Sequence, residues 1–160
     1  MDVYLAIASK RDERRYAERP IPADVEQRIL DAGRLSGSAR NRQPWELVVV
    51  SDPTGLAETV YEPSNLLGAA LVVALVGGGG IDFGRCAQNM MLAAWGDGVV
   101  SCPNGVRDPD TAAEICGGEA RAILSFGYPA RPRDPVSRSA EEWSARANRK
   151  PLSELVREVT

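Results

Sequence analysis

Ser38-Ala39-Arg40-Asn41-Arg42-Gln43-Pro44-Trp45, running into Glu46-Leu47-Val48-Val49-Val50, is the stretch on which the reading of this chain turns. A segment dense in hydrogen-bonding side chains delivers a large aromatic and then a β-branched run. The run, Glu46 to Ser51, is expected to be a strand buried on both faces. Upstream, Val25, Ile29, Leu30, Ala32 and Gly33 recur at helical spacing, so a helix is expected from near Ala23 until Gly37 ends it. The polar segment is therefore a helix-to-strand connection. Such a loop can hold a polar ligand against a flat wall. It can equally be an ordinary loop with Trp45 in the core, and these residues alone do not choose.

Outward from that loop, strands and helices alternate. Val3 to Ser9 reads as a short helix that ends at a basic cluster, and Pro20-Ile21-Pro22 as a rigid extended link. Asp52-Pro53 opens a helix reaching about Tyr61, with Pro53 at its first position. Ala69 to Val76 is the second strong strand. After Gly77 to Gly80, Asp82 is expected to cap a long helix to about Trp95. Its apolar residues, Phe83, Cys86, Ala87, Met90, Met91, Ala94 and Trp95, fall three or four apart, which suits packing on another helix of this chain or of a partner. A short strand at Val99 to Cys102, a helix at Asp110 to Ile115 and a strand at Arg121 to Phe126 follow. Arg131 to Arg138 reads as irregular, and Leu152 to Val159 as strand or helix. The alternation implies a sheet covered by helices, α/β or α+β, in one domain over residues 1–160.

Composition excludes several classes. The net charge of -3 leaves no general basic surface for nucleic acid. The chain has no histidine, which removes the usual metal ligand and the usual neutral-pH base, and with them Ser-His-Asp and Cys-His catalysis. Cys86, Cys102 and Cys116 form no CxxC pair and read as reduced thiols. The run Leu66 to Gly80 is too short and too rich in glycine to span a membrane. A cytoplasmic protein is the expectation.

Two charge features remain. Lys10, Arg11, Arg14, Arg15 and Arg19 crowd the start, and Arg131, Arg133, Arg138, Arg146, Arg149 and Lys150 the end. The two ends can fold around one anion, or each can be a solvated surface. Gly77-Gly78-Gly79-Gly80 invites a phosphate-loop reading, but Ile81-Asp82 stands where a Walker motif needs Lys-Ser or Lys-Thr, and Phe83 breaks a GxGxxG pattern. A flexible turn is the better reading.

Taken in order, Ser9-Lys10-Arg11-x-x-Arg14-x-Tyr16, Pro20-Ile21-Pro22, the Ile29-Leu30-x-Ala32-Gly33 helix, Ser38-Ala39-x-Asn41-x-Gln43-Pro44-Trp45, the valine-rich strand and Gly127-Tyr128-Pro129 resemble the nitroreductase family of FMN enzymes. The resemblance runs from about Ala6 to Pro129, with a tail match around Arg149 to Val156. It implies an α+β fold, a mixed and mainly antiparallel sheet flanked by helices, in an intertwined homodimer with flavin sites between subunits. It implies that Lys10, Arg11 and Arg14 grip the FMN phosphate, with Arg149 a further contact. Ser38, Ala39 and Asn41 would touch the flavin ring and ribityl chain, and Asn104-Gly105 would offer backbone donors to the reactive nitrogen. The long helix is expected at the dimer interface.

The function so implied is hydride transfer from NAD(P)H through FMN to a small-molecule acceptor such as a nitro compound or quinone, by a ping-pong mechanism. That chemistry suits a chain without histidine, because the cofactor carries the difficult step. Flavin reductase, dehalogenating or ring-fragmenting chemistry, or a flavin-binding dimer without turnover, are the alternatives. Two departures stand out. Asp12 occupies a position where the family has a small hydroxyl residue, and Gly77 to Gly80 replaces helices that in many members cap the substrate pocket.

Overall fold

The computed structural model describes residues 1–159. They divide into two compact units, Arg11–Arg133 and a smaller one formed by residues 1–10 and 134–159.

The larger unit is built on four antiparallel strands: β1 Trp45–Val49, β2 Leu71–Gly77, β3 Val100–Asn104 and β4 Ala120–Gly127, in the order β1-β2-β4-β3. The parallel element is an isolated bridge between Asp12 and Ser101. β2 is buried along its length from Leu71 to Val76, and its alternation sorts the core into two layers. Leu71, Val73 and Leu75 pack under α2 (Ala23–Arg34) and α5 (Ile81–Gly96). Val72, Ala74 and Val76 face α3 (Thr54–Ala57), α4 (Ser64–Leu67) and α6 (Pro109–Cys116). This is the α+β fold that the sequence implied. No helix among the described residues is long and apolar enough to cross a membrane.

Several expectations are corrected. β1 is half-buried, with Val49 exposed, because it lies at the edge of the sheet; a valine run reads alike at an edge and in the middle. The helix expected up to Tyr61 stops at Ala57, and a second short helix, α4, follows Pro63. α2 ends at Arg34 rather than at Gly37. Gly80 (φ 78°) stands at the N-cap of α5 in place of Asp82. Asp82 instead accepts a hydrogen bond from Ala39 N at 3.0 Å, so its carboxylate ties the loop before β1 to the helix.

The glycine run before α5 is more constrained than a flexible turn. Gly77 adopts φ 103°, and a Cβ there would stand 2.9 Å from Pro44 O. Gly78 N donates to the same carbonyl at 2.8 Å. The run therefore fastens the end of β2 beneath the start of β1.

α5 uses its apolar stripe inside the chain. Phe83, Cys86, Met90, Met91, Ala94 and Trp95 are all buried, and α2 comes so close that a Cβ on Gly33 would lie 2.9 Å from Met90 Sδ. The side left exposed carries Ile81, Gly84 and Gln88. Burial pushes the Cys86 thiol up to about 11, from an ordinary value of 9.0. Between those values the unfolded chain sheds a proton that the folded chain keeps, so stability falls as pH rises through this window. Cys86→Ala is expected to flatten the alkaline part of a curve of unfolding free energy against pH. An unchanged slope would remove Cys86 as its source.

In the smaller unit, Asp2 caps α1 (Val3–Ser9) by accepting from Tyr4 N and Leu5 N. α7 (Ala140–Arg146) was not expected. A capping box formed by Ser139 and Glu142 starts it, and Trp143 Nε1 donates to Pro135 O at 2.8 Å. The tail forms one helical turn, α8 (Leu152–Leu155).

Candidate functional site

Residues 11–17 run as an extended segment past the start of β3 and the end of β4. Glu13 N donates to Ser101 O at 3.1 Å, Ala17 N to Tyr128 O at 2.8 Å, and Ala130 N to Arg15 O at 3.0 Å. Tyr16 anchors the segment. Its hydroxyl hydrogen-bonds Ser125 Oγ at 2.8 Å, and its ring covers Gly127 so closely that a Cβ there would lie 2.7 Å away. Burial holds the phenol well above its ordinary pKa, so Tyr16 stays protonated as a structural pin.

With Tyr16 fixed, the flanking charges collect around a cleft of about 480 Å3 between residues 12–15 and 130–133. Asp12, Glu13, Arg14, Arg15, Arg131 and Arg133 supply its charge. Glu13 is taken up by Arg133, whose Nη2 and Nε both donate to it, the latter at 3.1 Å. Arg14, Arg15 and Arg131 are exposed. The cleft therefore presents an excess of guanidinium groups, whose donor forks match phosphate geometry. Arg131 and Arg133 were counted in the basic end of the chain but given no site role, because they stand in an irregular, proline-containing stretch. The signal was their place just beyond Gly127-Tyr128-Pro129, which pairs backwards along residues 15–17.

At the other end of β3, Asn104 and Gly105 play different parts. The Asn104 side chain is buried and fully engaged: Nδ2 donates toward Cys102 O, Ile123 O and Ser125 Oγ at 3.1, 3.1 and 3.0 Å, and Oδ1 accepts from Asn65 Nδ2 at 3.0 Å. Gly105 is exposed. Tyr61 N donates to its carbonyl at 3.1 Å, and the Tyr61 ring lies where a Cβ would come within 3.0 Å. Its peptide is thus held firmly while its surface stays open. Pro103 fits because β3 is an edge strand of the sheet, and the segment that bridges its outer side does so at Ser101 rather than at Pro103.

Ser38, Ala39 and Asn41 lie elsewhere. They form a short 3-10 turn before β1 in which Arg40, Asn41 and Gln43 all adopt φ near +50°. Ser38 Oγ accepts from Gln43 N at 2.8 Å, and Asp82 holds the Ala39 amide, so the local bonds fix a conformation that non-glycine residues rarely adopt. β1 and β3 are opposite edges of the sheet, separated by three strand spacings or roughly 14 Å. Within one chain, the segment that carries Arg11 and Arg14 runs beside Ser101 near the start of β3, Gly105 follows the far end of that strand, and Ser38 to Asn41 lie at the other edge of the sheet. Lys10 caps α1, and Arg149 is exposed between α7 and α8; both belong to the smaller unit.

A family model described as the nitroreductase family matches residues 7–74, a stretch that takes in the basic segment, the Ser38–Trp45 loop, β1 and much of β2. Over that stretch the chain is similar to the nitroreductase family. An NADH dehydrogenase of Thermus thermophilus is 35% identical over 78 residues, covering 47% of this chain and 38% of that protein. The chain spans less than half the length of the curated relatives it matches. Among solved structures, a nitroreductase of Desulfovibrio desulfuricans in complex with FMN superposes with a TM-score of 0.80 at 24% identity, covering 100% of this chain and 98% of that one. The NADPH:FMN oxidoreductase of Vibrio harveyi complexed with NAD+ gives 0.82 at 20% identity, over 97% and 76% of the two chains. At these identities the likeness shows that the nitroreductase fold extends over the whole chain.

Proposed function

We propose that this chain is an FMN-dependent oxidoreductase that passes electrons from NAD(P)H to a small-molecule acceptor such as a nitro compound or quinone, in alternating half-reactions. The observation that carries the reading is the layout along β3. The basic segment meets the strand at Ser101, and Gly105 follows its end, a separation of roughly 13 Å in extended chain. That span suits a flavin mononucleotide laid along the open edge, phosphate at one end and ring at the other. The residues fit the group: Arg14 lines the cleft at the phosphate end, and a glycine, where no side chain blocks close approach, stands at the ring end.

Arg11 and Arg14 bind the phosphate by charge-assisted hydrogen bonds. Lys10 and Arg149 are assigned to it on charge and motif position alone. The Asn104-Gly105 backbone orients the ring, with the Gly105 N–H as the donor beside the position where charge develops. When bound, FMN supplies the two-electron chemistry, and no side-chain base is required of the chain. Ser38, Ala39 and Asn41, at the far edge of the sheet, serve the flavin of a second copy, which makes the working unit a homodimer. The exposed side of α5 is assigned to that interface.

Purified protein mixed with FMN should retain a flavin absorbance band after gel filtration and elute as a dimer. The band should bleach anaerobically on addition of NADH or NADPH and return on addition of a nitroarene or quinone. A protein that stays colourless with excess FMN would overturn the reading.

A further inference from the structure

We propose that the arginine cleft between residues 12–15 and 130–133 is a coenzyme site that takes the 2′-phosphate of NADPH, with Arg15 and Arg131 as its ligands. The inference rests on the proposed flavin site, since it concerns the reductant used there.

Not every charge in the cleft is taken up. Arg14 is assigned to the flavin phosphate, and Arg133 is engaged by Glu13. Asp12 also lines the cleft, and of the arginines Arg15 and Arg131 remain; both are exposed, and among the described residues neither is in an ion pair with a carboxylate. They are held on adjacent antiparallel segments, because Ala130 N donates to Arg15 O and Tyr16 bridges Pro129. Two guanidinium groups kept close repel each other unless an anion lies between them. The fold nevertheless fixes both segments, through the Tyr16 pin on one side and the Glu13–Arg133 pair on the other.

Size and chemistry narrow the occupant. The cleft, about 480 Å3, falls within the range of small-molecule sites and exceeds what one phosphate group fills. NADPH differs from NADH by one phosphate dianion on the adenosine ribose. A pair of guanidinium forks beside a nucleotide-sized cleft is the chemistry that recognises that difference. The Glu13–Arg133 pair keeps the wall in place without cancelling the excess positive charge.

The test uses the FMN-loaded protein and two flavin-free probes, adenosine 2′,5′-bisphosphate and 5′-AMP, followed by titration calorimetry. The bisphosphate should bind at least about tenfold more tightly, as expected for a phosphate held by two charge-assisted pairs. Arg15→Ala and Arg131→Ala should each erase most of that preference, with FMN affinity unchanged within about twofold. Equal affinity for the two probes, or no binding of either, overturns the proposal. So does a preference that survives both substitutions. Loss of FMN from Arg131→Ala also overturns it, because the cleft would then serve the flavin phosphate. A protein that refuses FMN yet prefers the bisphosphate, and loses that preference with Arg131→Ala, would sustain this site while removing the flavin reading.

Discussion

Arg14→Ala is expected to weaken FMN binding by about 10- to 100-fold, the equivalent of one lost hydrogen-bonded charge pair. Arg14 lies in the extended segment held against β3 by the Glu13–Ser101 hydrogen bond, and its guanidinium lines the cleft at the phosphate end of the proposed flavin. Arg19→Ala provides the control. It removes the same charge from the same part of the chain, but the Arg19 guanidinium stacks on the Tyr128 ring at 3.7 Å. Such a contact stabilises by about 0.5–1 kcal/mol and touches no phosphate. Arg19→Ala should therefore lower the urea midpoint slightly and leave the FMN dissociation constant within about twofold of wild type. A fluorescence titration of FMN against each variant measures the difference. Equal losses for the two would mean that only the summed charge of the segment matters, and Arg14 would lose its assigned contact.

This comparison also shows what a linear sequence conveys and what it hides. β2 and α5 were legible because burial leaves a strong imprint on both: a continuous apolar strand, and apolar residues three or four apart. The motif order from Ser9 to Trp45 was legible as a resemblance because it lies in one continuous stretch, and the family model matches that stretch. β1 was misjudged because its valines describe a preference for extended chain and say nothing of which strand lies alongside. α4 and α7 escaped notice because each is short, and their stability comes from packing or capping rather than from a long amphipathic stripe. Asp82 looked like a helix cap in sequence, but its partner is the Ala39 amide, 43 positions away in the chain. The site itself was harder still. Lys10 to Arg14, Ser38 to Asn41 and Asn104-Gly105 follow one another in sequence as if they line one wall. The strand order β1-β2-β4-β3 puts the second group at the opposite edge from the third. That separation follows from how the strands pair, which no local pattern records.

Asn104→Leu should destabilise the folded protein by about 2–4 kcal/mol, through buried polar groups that lose their partners. The amide Nδ2 has two hydrogens for three acceptors, Cys102 O, Ile123 O and Ser125 Oγ, so at least one hydrogen is shared. Oδ1 in turn satisfies Asn65 Nδ2 from α4, and Ser125 Oγ continues the chain of hydrogen bonds to the Tyr16 hydroxyl. One side chain thus joins β3, β4, α4 and the basic segment. Leucine, similar in size, removes the amide and strands the Asn65 donor inside the core. The double variant Asn65→Leu/Asn104→Leu should recover part of the loss, because deleting both members of a buried pair costs less than deleting one. Urea unfolding of the apoprotein measures all three variants in the absence of flavin, which separates this role from any cofactor contact. A midpoint for Asn104→Leu equal to wild type, with a lower FMN affinity, would return the Asn104 side chain to the flavin. The expected pattern leaves it as the strut behind Gly105, the residue whose backbone meets the ring.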